Sequence, residues 1–201
     1  MSFKRTLKGG AMLAPVPAVM VSVGDKEEQN IITVAWCGTI ATSPAKTYVS
    51  IRPSRHSYEI IRRTGEFVIN LVPSSLVRAL DFCGIYTGAK VNKFERCHLS
   101  PSFSEGFSAP AIAECPLSIF CRVTDTVPMG THDMFLADIV SITADEELFD
   151  AKGALHLEKA DLCAYVHGAY FKLGKELGKF GFSAAKKKKK KGNIQHGKSK
   201  N

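Results

Sequence analysis

Apolar positions along this chain recur in short runs, and several runs keep a period of two. Between Lys46 and Arg52, Thr47, Val49 and Ile51 fall on one face and Tyr48, Ser50 and Arg52 on the other, the alternation of a half-buried strand. Pro53 has no N–H for a ladder, so that strand is expected to stop there. Ala14 to Gly24 predicts a strand ended by a Gly24-Asp25 turn, and Ile31 to Ile40, rich in Ile, Thr and Val, predicts a second. Phe67–Val72, Leu117–Thr126 and Met134–Thr143 predict three more, and the apolar, aromatic stretch Leu162–Leu173 a last one. Two short helices interrupt them: Ser57–Thr64, with Gly65 as its stop, and Ser74–Phe82, with Leu76, Val77 and Leu80 on its apolar side. Glycines and polar residues from 84 to 106 predict a loop with one helical turn at Asn92–Arg96.

Many short strands, few helices and no regular β-α alternation predict a β-barrel or sandwich with helical decoration. No G-x-G-x-x-G follows a strand, which disfavours a Rossmann fold. No internal repeat is visible. At 201 residues the chain fits one domain, expected over 1–185, with a separate tail over 186–201.

Formal net charge is +8, but eight of the 27 basic residues are lysines beyond position 185, where no acidic residue occurs. The other 19 basic residues face 19 acidic ones, so the body is neutral and offers no basic footprint for nucleic acid. The Lys186–Lys191 run is expected to be a disordered, solvated tail with weak electrostatic attraction to RNA or anionic lipid. No apolar run approaches the roughly 20 residues of a membrane helix. Lys4, Arg5 and Lys8 lead into a stretch broken by Pro15 and Pro17, not into the core of a signal peptide. Six cysteines without a C-x-x-C pair predict reduced thiols, no metal centre and a cytoplasmic protein.

Candidate chemistry concentrates in Ser54-Arg55-His56-Ser57, which lies between an extended segment and a helix start. Hydroxyls, a forked guanidinium and the free N–H groups of a helix N-terminus together suit a phosphate. The plain alternative is a serine N-cap. Ser50 and Arg52 on one strand face just upstream favour a ligand. Trp36, the only tryptophan, lies in the expected strand among Ala35, Cys37 and Gly38, small neighbours that let a flat ring approach the backbone; a core Trp with its N–H satisfied is the alternative. Lys93 could reach an anion from its loop, although a lone lysine is more often solvated surface. His132, before a strand, reads as a hydrogen-bonding or stacking imidazole, since no nucleophile or metal partner accompanies it. No Ser/His/Asp or Cys/His arrangement can be assembled, so no side chain is assigned a catalytic role.

The blocks N-I-I-T-V-A-W-C-G, S-I-R-P-S-R-H-S-Y-E-I-I and G-E-F-V-I-N-L, in that order from Asn30, resemble the flavin reductase-like, FMN-binding split-barrel family, especially its flavoredoxin branch. Agreement continues through V-N-K-F, H-D-M-F-L-A-D-I and the closing Y-F-K-L-G and G-K-F-G-F-S, and covers roughly residues 12–183. The resemblance implies a mainly β, six-stranded antiparallel Greek-key split barrel with a few short helices, forming a homodimer with one FMN per subunit near the interface. By position, Asn30 and Trp36, with the backbone around Cys37, would hold the isoalloxazine. Ser57, with Ser54, Arg55 and Lys93, would hold the phosphate, and His132 and Tyr165 would approach the ring. NAD(P)H would be the co-substrate, passing hydride to the flavin, which accounts for the missing triad. A flavoredoxin-type electron carrier served by a redox partner protein, without nicotinamide activity, is the alternative. A nucleic-acid binder driven by the tail is a third and weaker reading. No ribose-reading motif separates NADH from NADPH, and neither the terminal acceptor nor the tightness of FMN binding can be read from the residues.

Overall fold

The structure, a computed structural model, describes residues 3–184; the Lys186–Lys191 run and the expected tail lie outside the described residues. In chain order come β1 (Val16–Pro17), β2 (Val19–Gly24), β3 (Gln29–Val34), β4 (Cys37–Thr42), β5 (Ala45–Ile51), α1 (His56–Thr64) and β6 (Glu66–Leu71). They are followed by α2 (Val77–Ile85) and α3 (Lys93–Arg96), then β7 (Pro101–Ser102) and β8 (Ala111–Ile112). The long pair β9 (Leu117–Pro128) and β10 (Asp133–Ala144) and the closing β11 (Cys163–Val166) and β12 (Ala169–Lys172) complete the chain.

Seven strands form one antiparallel sheet in the order β3-β2-β6-β9-β10-β5-β4. Its first and last strands, β3 and β4, are joined by Ala35 and Trp36 alone. Two linking residues reach about 10 Å at most. The two edges of the sheet must therefore meet there, and the sheet is rolled into a barrel. The Ser50 N–H donates to the Trp36 carbonyl at 2.8 Å and ties the seam.

This seam corrects one expectation. The single strand predicted over Ile31–Ile40 is two strands, and Trp36 sits at the break instead of mid-strand. That division is why the barrel sheet has seven strands where six were expected. A second correction falls at the C-terminal end: Leu162–Leu173 is not one strand but the β11–β12 hairpin, which pairs with β1 in a small separate sheet. His167 (φ 42°) and Gly168 (φ 95°) make its turn. Two consecutive positive φ values are the requirement of the tight hairpin turn that matches strand twist.

The barrel core holds Val19, Val21 and Val23 of β2, Val49 and Ile51 of β5, Phe67 and Ile69 of β6 and Phe135 of β10. Tyr58, Ile60 and Ile61 of α1 join that same core. A second core lies on the outer face of β2 and β3, where Met20 and Ile31 meet Leu80 and Cys83 of α2, Phe94 of α3 and Cys163 of β11. Both faces of β2 are thus covered, and all six of its residues are buried. α1 stops at Gly65, whose φ of 68° and N–H bond to the Ile61 carbonyl make the expected left-handed cap.

Candidate functional site

Two adjoining cavities open along the barrel seam, between β3, α1, α2 and the β11–β12 hairpin. The larger, about 380 Å³, is lined among others by Trp36, Ser50, Arg52, His132, Tyr165 and Tyr170. The smaller, about 70 Å³, is lined by Asn30, Ser54, Ser57, Lys93 and the Tyr86–Gly88 loop. Arg55, Ile32 and Gly84 line both, so the two are compartments of one cleft. Ten of the eleven residues singled out by sequence gather in this cleft. Cys37 is the exception: its side chain belongs to the barrel core, where burial pushes the thiol up to about 12.

The small compartment is built around buried polar groups. Lys93, 3% exposed, donates from Nζ to the carbonyls of Ile31 (2.6 Å) and Cys83 (2.7 Å). Both acceptors are neutral, so among the described residues the ammonium has hydrogen bonds but no counter-charge. Desolvation, against a smaller opposing influence from the Cys83 thiol and with the Arg55 charge adding to it, pulls its pKa down to about 8. Asn30 Nδ2 donates to Ser57 Oγ at 2.7 Å, which leaves the serine O–H free to donate in turn. The loop presses close here: a Cβ on Gly88 would stand 2.2 Å from Asn30 Oδ1, so a side chain there would displace the Asn30 amide.

Ser57 stands in the first turn of α1, but no serine caps that helix. Arg55 is the N-cap residue, in an extended conformation and with no side-chain cap bond. The plain N-cap explanation for the Ser54–Ser57 knot therefore does not apply. First-turn N–H groups are left for another acceptor, and the helix end carries a partial positive charge. Ser57, Lys93, Arg55 and this helix end together suit a compact dianion.

The large compartment is flatter and more aromatic. Trp36 is 36% exposed at its mouth. Tyr165 and Tyr170 are direct cross-strand partners in the hairpin, with ring centroids 5.7 Å apart. The Tyr170 hydroxyl donates to Asp81 at 3.2 Å, and burial together with that carboxylate raises it to about 12, so it stays protonated. Arg52 Nε donates to His132 Nε2 at 3.4 Å, and His132 Nδ1 lies 2.9 Å from Thr131 Oγ1. With Nε2 accepting, the proton belongs on Nδ1. Partial burial, then Arg52 and Arg55, lower the His132 pKa and favour that neutral imidazole.

Tyr170, Gly84 and Thr33 also line the large compartment and were not singled out from the sequence. For Tyr170 the available signal was Gly168. Residues 165 and 170 are an odd number of positions apart and would face opposite ways in one strand, whereas a turn at 167–168 pairs them. All six cysteines are free thiols. Among the described residues no helix is long and apolar enough to cross a membrane.

Residues 12–174 match the flavin reductase-like domain family, and the chain belongs to that family. Its fold is the split barrel of FMN-binding proteins and flavoredoxins. The flavoredoxin of Desulfovibrio vulgaris is 26% identical and superimposes with a TM-score of 0.84, over 91% of this chain and all of its own. Flavoredoxin from Methanosarcina acetivorans is 25% identical, TM-score 0.82, over 92% of this chain and likewise all of its own. An uncharacterised protein of Archaeoglobus fulgidus is 32% identical over 130 residues, 65% of this chain and 73% of the relative.

Proposed function

We propose that this chain is an FMN-dependent oxidoreductase that takes electrons from a reduced nicotinamide, NADH or NADPH. One observation carries the reading: a roomy, aromatic compartment is continuous with a small cationic one through Arg55, Ile32 and Gly84, which is the outline of a flavin mononucleotide. The residues present fit that cofactor. Among the described residues Lys93 lacks a counter-charge, the Ser57 hydroxyl is free to donate and α1 has no side-chain cap, so a phosphate monoester would complete all three. Bound in the cleft, FMN would supply the two-electron chemistry for which no side chain here is equipped.

The chain's own part is to bind and orient. Lys93, Ser57, Asn30, Ser54 and Arg55 would anchor the phosphate. Trp36 and the Tyr165–Tyr170 pair would shield the ring from water, while Ser50, Arg52 and the neutral His132 offer polar contacts at its edge. The family's description as flavin reductase-like supports the reductase reading. Six free thiols accord with a reducing cytoplasm. A homodimer accords with the exposed apolar residues Ile40, Val140 and Ile142.

A second reading, an electron carrier without nicotinamide activity, is favoured by the full-length likeness to two flavoredoxins. Anaerobic mixing of the FMN-loaded protein with NADH or NADPH separates the two. The flavin absorbance should bleach with at least one nucleotide; bleaching by neither, in a protein that dithionite does reduce, would leave the carrier reading standing.

A further inference from the structure

The two compartments of the cleft are lined from different parts of the chain, and one partly buried contact spans them. Ser57, in the small compartment, is followed by Tyr58; His132, in the large one, is followed by Asp133. The Tyr58 hydroxyl donates to Asp133 Oδ2, joining α1 to the first residue of β10 across 75 positions of the chain. Tyr58 is itself fixed. Its ring lies in the barrel core against Phe135, centroids 5.2 Å apart, and its N–H donates to the Arg55 carbonyl at 2.9 Å. The hydrogen bond to the Asp133 carboxylate, then burial, raise the phenol above its ordinary pKa, so it stays the donor.

The other end depends on being held. His132 closes the β9–β10 turn, where the Met129 N–H donates to the His132 carbonyl at 2.8 Å and Gly130 has a φ of 86°. Asp133 is the first rung of β10, opposite Pro128 of β9 and Ile51 of β5. Pro128 has no N–H to give, so the ladder is short of a donor where the imidazole leaves it. Arg52 also reaches His132, but at 3.4 Å and between exposed side chains. The Tyr58–Asp133 bond is the more sheltered tie between the helix that presents Ser57 and the turn that presents His132.

We propose that Tyr58 and Asp133 are positioning residues: their hydrogen bond sets the separation of the two ends of the cleft, so that one ligand engages both at once. This rests on the FMN reading above and deepens it. Neither residue lines either compartment, so neither would touch the cofactor. Two weakly bound fragments joined in one molecule gain affinity only while the spacing lets both engage, and a misplacement of about 1 Å can cost up to about 100-fold.

Titration of the apoprotein with FMN and with riboflavin, followed by flavin fluorescence, tests this, with inorganic phosphate added as a competitor of FMN. Riboflavin and phosphate each fill one end alone. Tyr58→Phe should weaken FMN binding about tenfold while riboflavin and phosphate stay within about twofold of their native affinities. Asp133→Ala should do the same, and the double variant should lose no more than either single one. Asp133→Asn keeps an acceptor oxygen and should bind FMN almost as the native protein does. FMN affinity unchanged in both Tyr58→Phe and Asp133→Ala overturns the inference and leaves the FMN reading intact. A loss shared equally by riboflavin and phosphate also overturns it, since that is a generally loosened site. So does an Asp133→Asn loss as large as that of Asp133→Ala, which would assign the effect to the carboxylate charge. A native protein that binds no FMN defeats the reading and the inference together.

Discussion

Lys93 carries most of the tension in the site. Its ammonium is almost wholly removed from water and held by two carbonyls, with a pKa lowered from 10.5 to about 8. The unfolded chain therefore binds more protons than the folded one between those two values. Stability rises with pH for a group of that kind, so Lys93 contributes a gain of at most about 3 kcal/mol from about pH 8 toward pH 10, opposed above about pH 9 by the buried thiols, such as Cys37, that the fold holds protonated. Melting temperatures across that window check this: the native protein should gain on Lys93→Met as pH rises from about 8 toward 10, and gain less when FMN or inorganic phosphate supplies the counter-charge. Lys93→Met should also weaken FMN binding by about 10- to 100-fold, the worth of a charge-assisted hydrogen bond. An unaltered melting profile in the variant would show that the ammonium is not desolvated. From the sequence this lysine was a candidate anion ligand with solvated surface as the plain alternative; only the packing of α2, α3 and β3 around it makes it buried.

At the scale of elements, β6 is the strand whose two faces do different work. Phe67 and Ile69 fill the barrel, while Asn70, fully buried, faces the other way and ties four segments together. Its Nδ2 donates to the Met20 carbonyl (3.0 Å) and Ser22 Oγ (2.9 Å), and its Oδ1 accepts from the Ile112 N–H (2.9 Å) and Ser118 Oγ (2.8 Å). Asn70→Leu would strand several of these partners in a dry environment. The expected loss is about 2–4 kcal/mol, read as a lower urea midpoint, with the flavin still bound once the protein is folded. A midpoint within experimental scatter of the native protein would mean that water replaces the lost amide. The motif containing Asn70 was legible as part of a family signature, but its structural role was not, because its four partners come from distant parts of the chain. The β11–β12 hairpin was hidden for a related reason: its turn residues, His167 and Gly168, are a short break in a run that is otherwise apolar but for Lys172.

For the whole molecule, the barrel seam and the open edge of β10 matter most. β5 pairs with β10 only as far as Asp138, so among the described residues the rest of that edge is unpaired, and Val140 and Ile142 on it are exposed. Leu177 and Phe180, past β12, are almost entirely exposed as well. Apolar surface of this kind, beside an unpaired strand edge, is what association covers. Light scattering should give a mass near twice the 21.9 kDa of one chain, and Ile142→Lys should shift it toward one. A native protein that stays monomeric at micromolar concentration would remove the homodimer from the account.

The sequence by itself determined most of the strands, the extent of α1 and its glycine stop, and the identity of the polar groups that meet in the cleft. Those are local matters: period, capping and turn chemistry are written within a few residues. It also located the charge, which belongs to the lysine run and not to the neutral body. Tertiary structure alone decided that the Ile31–Ile40 run breaks at Trp36 to close a barrel, because only the rolled sheet brings its two edges together. It alone decided that Lys93 is buried, that Ser57 is an open donor and not a cap, and that Tyr170 stands beside Tyr165. Each of those depends on which segments become neighbours, and neighbours distant in sequence leave no periodic trace along the chain.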